Sequence, residues 1–173
     1  MTMSDRRTNA GRAVREHALR VLYSSEMAGL SPLDALARHE ASHVVPHVEP
    51  APSERTRWFR IERMDDELPS PEQWDPVRDD VTALLRELES RREDAEACLR
   101  QASPRWRLDR MPTIDRCLLL IGVTEMLRSE APRLRPVFHD LIELAKCYGG
   151  ESTPRFVNGI LDQARRNRGL PFR

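Results

Sequence analysis

The chain has 173 residues, 32% of them charged, with 28 basic and 28 acidic groups and a formal net charge of zero. That length makes one domain with a buried core, and the few glycines and aromatics disfavour a sandwich or barrel. No apolar run reaches the roughly 18 residues of a membrane span, and Asp5, Arg6 and Arg7 at the start are not followed by the apolar core of a secretory signal. A cytoplasmic protein is therefore expected. The charge is unevenly spread: residues 1 to 20 carry +3, residues 155 to 173 carry +4, and the middle carries −7. A fold that joined the two ends would present a basic surface to a polyanion; the alternative is that arginine-rich ends only keep the protein soluble.

In chain order, Val14, Ala18, Val21, Leu22 and Met27 predict a first helix from Arg12 to about Ala28, stopped by Gly29. Ser31-Pro32-Leu33-Asp34 starts a second helix with a cap, a first-turn proline and a nearby carboxylate. Prolines 46, 50, 52, 69 and 71 mark residues 44 to 75 as an inserted, partly disordered stretch, in which Trp58, Phe59, Ile61 and Met64 leave a short docking helix open. Val77, Val81, Leu84, Leu85, Leu88, Ala95, Cys98 and Leu99 trace one long amphipathic helix ending before Pro104. Pro112 opens the next, from Ile114 through Leu127, apolar nearly all round and therefore central. Pro136 starts another, with Val137, Leu141, Ile142, Leu144 and Ala145 inward.

The last helix is the most informative. Gly149 is expected to end the preceding helix in the left-handed conformation, Ser152 or Thr153 to cap, and Pro154 to occupy the first turn. Phe156, Val157, Ile160, Leu161 and Ala164 then form one buried face. Gly159 costs about 1 kcal/mol relative to alanine in a helix, so a neighbouring helix or a ligand is expected to approach there. No alternating strand pattern of useful length appears, and the fold class is all-α.

Catalytic signals are few. His39-Glu40-Ala41-Ser42-His43 fits the zinc motif H-E-x-x-H, with His47 as a third imidazole. Pro46 breaks the helix before His47, and the charged surroundings offer no dry cleft, so solvated histidines are expected and no metal is assigned. Cys98, Cys117 and Cys147 form no C-x-x-C pair and are expected to be buried, reduced thiols. There is no phosphate-cradling glycine loop, no nucleophile elbow and no dinucleotide fingerprint, so neither cofactor nor enzymatic activity is expected.

Four ordered blocks point to a family. The segment Gly149 to Asp162, reading GGESTPRFVNGILD, resembles the C-terminal signature of the NusB family of transcription antitermination factors, G-x-E-x-S-x-R/K-F-V-N-G-V-L-D. Trp106 to Arg116 is similar to the family's W-x-x-x-R-x-x-x-x-D-R. Leu144-Ala145-Lys146 with Tyr148-Gly149 resembles E-L-A-K-x-F/Y-G, and Arg12 to Tyr23 resembles R-x-x-A-R-E-x-A-x-Q-x-L-Y. Departures are Ser152 where the family often has an acid, Leu120 where it has arginine, Leu88-Glu89 near a usual Gly-Val pair, and the longer insertion.

The resemblance implies a single domain over residues 1 to 173, a NusB-like bundle of two packed three-helix halves. It implies binding of the single-stranded boxA element of ribosomal RNA transcripts, jointly with the ribosomal protein NusE and in contact with the transcribing RNA polymerase. Carried over residue by residue, the RNA-binding set is Arg12, Arg15, Tyr23, Phe156 and Asn158, and Asp115 and Arg116 fall at the NusE contact. The residues themselves add Arg155 and the backbone N–H groups after Ser152 as a phosphate site at a positive helix end. They also read Phe156 and Tyr23 as core, and Asp115 as a first-turn carboxylate favoured by the helix dipole. The alternatives are an accessory RNA-binding module of an RNA-modification system and a homodimer that hides its arginines.

Overall fold

The computed structural model describes residues 3–42, 74–105, 107–128 and 133–172. Among these the chain is all helical: α1 (Met3–Ala28), α2 (Pro32–Ser42), α3 (Arg78–Ser90), α4 (Arg92–Ala102), α5 (Thr113–Leu127), α6 (Leu134–Tyr148) and α7 (Thr153–Asn167), with a 3-10 turn at Leu108–Arg110. Most of the expected insertion, including Trp58, Phe59, Ile61 and Met64, lies outside the described residues, as do His43, His47 and Trp106.

Local chemistry explains most boundaries. Gly29 takes φ 65°, and the Leu30 N–H returns to the Ser25 carbonyl at 3.1 Å, which closes α1 in a Schellman motif. α7 ends the same way: Gly169 has φ 65° and the Leu170 N–H reaches the Arg165 carbonyl. At the start of α2, the Ser31 hydroxyl accepts the Asp34 N–H at 3.1 Å, the expected cap. α6 begins at Leu134 rather than Pro136, so the proline sits in the first turn, where its missing N–H costs nothing.

Two expectations need correction. The long helix of residues 77 to 99 is two helices, because Arg91 leaves the helical conformation at φ −111° and ψ 17°. The break has a packing reason: α3 lies on α1, α2 and α5, whereas α4 lies on α5 and α7, and a single straight rod would not serve both sets. Cys98 and Cys117 are buried as expected, and burial pushes both thiols up. Cys147 is exposed, since it follows Lys146 on the outer face of α6 while Leu144, Ala145 and Tyr148 turn inward.

α5 is the hub. Eleven of its 15 residues are buried, from Ile114 to Met126, and it packs on α1, α3, α4, α6 and α7. Gly122 lets α6 and α7 close on it: an added Cβ would stand 2.7 Å from a Leu161 methyl and 2.9 Å from a Leu141 methyl. α1 packs chiefly on α2, α3, α5 and α6, and α7 packs on α4, α5 and α6.

Candidate nucleic-acid interface

α1 and α6 run side by side, and buried ionic contacts fasten them. The Arg15 guanidinium donates to both Glu125 oxygens, at 2.6 and 2.9 Å, and to Asp140 at 2.7 Å, with only 12% of its side chain exposed. Burial works against its charge, but the two carboxylates outweigh it and raise the guanidinium pKa. Asp140 also moves upward, because its own burial outweighs the pull of Arg15. Burial disfavours the charge of both partners, so desolvation offsets much of the Coulomb gain, as expected for an interior pair. Arg15 is thus a structural link between α1, α5 and α6, although its place in the arginine-rich motif assigned it to RNA.

A second link lies further along. The Tyr148 hydroxyl donates to Glu16 Oε1 at 2.5 Å and accepts from Arg20 at 2.9 Å. Burial and the Glu16 bond hold the phenol up at about 12. Tyr148 is the last residue of α6, so this contact sets the following loop, Gly149 to Ser152, against the middle of α1.

That loop is fixed at its other end by α5. Thr153 Oγ1 donates to Asp115 Oδ1 at 2.8 Å and accepts the Gly150 N–H at 3.0 Å. Asp115, expected at the partner surface, is 8% exposed and holds the start of α7. Ser152 precedes α7 but makes no side-chain cap bond. Gly149 is extended, at φ −92° and ψ 177°, and not left-handed as expected. It is required for space: an added Cβ would lie 2.4 Å from Thr153 Cγ2 and 2.7 Å from the Ala145 carbonyl.

From this frame the first turns of α7 face outward. Ser152, Arg155, Asn158 and Gly159 are exposed, and Val157, Leu161 and Ala164 face the core. Beyond its chain neighbours and the backbone of its own helix, no described atom comes within 4 Å of a Cβ placed at Gly159, so no neighbouring helix among the described residues accounts for that glycine. Phe156 and Tyr23 are half-buried and packed on the core. Arg12 makes no ion pair within 4 Å among the described residues and lies two turns of α1, about 12 Å, before Arg20. Arg116 is drawn inward to Glu26 at 2.5 Å. The structure therefore gathers Ser152, Arg155, Phe156 and Asn158 on one ridge and withdraws Arg15 and Asp115 into the interior.

The partners Glu125, Asp140, Tyr148 and Glu26 escaped sequence reasoning, since each lies 66 or more residues from the groups it binds across the bundle. Only the matching charges hinted at them. At the described end of the H-E-x-x-H motif, the His39 ring meets Trp74 at 5.5 Å, and Glu40 accepts from Arg78 at 2.6 Å. No group of three metal-ligating side chains occurs among the described residues.

A family model described as NusB family matches residues 12–166. This chain belongs to the NusB family. Among curated relatives, Transcription antitermination protein NusB of Anaeromyxobacter dehalogenans strain 2CP-1 is 34% identical over 161 residues, covering 93% of this chain and 91% of the relative. NusB of Myxococcus xanthus is 30% identical over 155 residues, covering 89% and 93%. A solved structure of antitermination factors NusB and NusE in complex with dsRNA superposes with a TM-score of 0.65 at 19% identity, covering 92% of this chain and 98% of that one. A T. maritima NusB structure gives 0.58 at 21% identity, covering 90% and 89%. At those identities the structures establish the shared NusB fold. No helix among the described residues is long and apolar enough to cross a membrane.

Proposed function

We propose that this chain is a cytoplasmic transcription antitermination factor that binds boxA RNA of ribosomal RNA operon transcripts together with NusE, and so joins the transcribing RNA polymerase. It acts as a binding adaptor and not as an enzyme. The observation that carries the reading is family membership over residues 12–166, which includes the arginine-rich start of α1 and the signature of α7. The exposed ridge at the start of α7 supports it in physical terms. The Arg155 side chain and its own N–H suit a phosphate, since the Thr153 and Phe156 N–H groups bond the Gly150 and Ser152 carbonyls and Pro154 has none; Asn158 offers both donor and acceptor to a base edge, and Gly159 admits close approach. Phe156 and Tyr23 supply aromatic rings for stacking, and Arg12 supplies a second phosphate contact.

Binding of a short boxA RNA and a scrambled control at fixed salt, with and without NusE, tests the reading. Tighter boxA binding that NusE enhances, and that Arg12→Ala with Arg155→Ala weakens, is the expected result. Equal, weak binding of both RNAs, indifferent to NusE, would remove it and leave a homodimer or an accessory module for test by sizing across salt.

A further inference from the structure

Away from the α7 ridge, a groove of about 560 Å³ opens between α4, the 3-10 turn and the start of α5. Four guanidinium groups line it, those of Arg92, Arg100, Arg107 and Arg116. Three carboxylates answer them: Glu26 accepts from Arg92 at 2.6 Å and Arg116 at 2.5 Å, Glu96 from Arg92 and Arg100, and Asp109 from Arg107.

The balance of hydrogen-bonding groups decides what fits. Each guanidinium carries five N–H donors, about twenty in all, whereas three carboxylates offer about twelve acceptor sites, so donors remain in excess and the four positive charges outnumber the three negative ones. Two residues of its lining also carry a buried donor without a partner: the hydroxyl of Ser103, a residue 3% exposed, and Arg116 Nε. Buried donors are costly to leave unmade, and their unmet capacity marks a place that an acceptor-rich ligand would complete.

We propose that this groove binds a phosphate group, held by Arg100, Arg107 and Arg116 with the Ser103 hydroxyl beneath them. Phosphate suits the site better than a single carboxylate, because its oxygens engage several forked guanidinium groups together. The group comes either from a small phosphate ester or from an RNA strand continuing beyond the α7 ridge. The small-ligand arm stands whether or not the boxA reading holds.

Titration of the full chain with pyrophosphate, followed by the arginine Nε–H resonances in NMR, tests the proposal. Saturable shifts at Arg116 are expected, weakened roughly tenfold in the Arg100→Ala, Arg107→Ala double variant, whose side chains are exposed and leave the fold intact. Ser103→Ala should weaken them less. Shifts that do not saturate, that chloride reproduces at equal ionic strength, or that the double variant leaves unchanged overturn the site. A boxA RNA lengthened at either end separates the sources. Loss of affinity for the longer RNA alone identifies the strand, and loss of pyrophosphate binding with both RNAs unaffected identifies a small ester.

Discussion

Arg15 and Arg155 lie in two segments that sequence motifs assigned to the same task, yet the fold uses them in opposite ways. Arg15 spends all its charge on Glu125 and Asp140 inside the bundle, while Arg155 stands exposed on α7 with no ion pair among the described residues. The contrast separates a frame from a face. The frame consists of the Arg15 contacts, the Tyr148 bridge and the Thr153–Asp115 bond, which position the ridge without touching a ligand. The face consists of the few side chains left over.

Breaking the frame should produce the largest effects. Arg15→Ala strands two carboxylates in the interior and should cost about 3 kcal/mol in denaturant unfolding. A loss below about 0.5 kcal/mol would show that Arg15 is a surface group after all. His17 tests the frame by pH. Its imidazole, buried edge-on against Trp74 at 5.3 Å, is pushed down from 6.5 to about 4, first by burial and then by Arg20. The unfolded chain therefore takes up the proton first as pH falls. The stabilisation is complete above pH 6.5 and is lost as pH drops toward 4, by up to about 3 kcal/mol. His17→Gln should flatten that part of the stability profile.

Gly149→Ala sharpens the comparison at the joint between frame and face. The new methyl meets a backbone carbonyl and the branched Thr153 with no room to yield, and about 2 kcal/mol of destabilisation is expected by thermal unfolding. Gly159→Ala should instead leave stability equal or slightly higher, because its surroundings are open. The smallest effect on folding belongs to the face: Arg155→Ala should change stability by less than about 0.5 kcal/mol. It should lower boxA affinity and reduce the salt slope of binding by about 0.7, the share of one single-strand phosphate contact.

Sequence alone determined the helical class, the centrality of the apolar helix, the Ser31 cap, the Gly29 stop and the family. These rest on periodicity and on turn chemistry, which act over a few residues. It also marked Ser152, Arg155 and Asn158, whose exposure follows from the helical period of one face. What it could not settle was the fate of each charged group named for binding. The helix break at Arg91, the extended Gly149, the exposed Cys147 and the inward turn of Arg15, Asp115 and Arg116 depend on which helices become neighbours. A carboxylate some 110 residues away decides whether an arginine meets RNA or closes a core, and that pairing exists only after the bundle has packed.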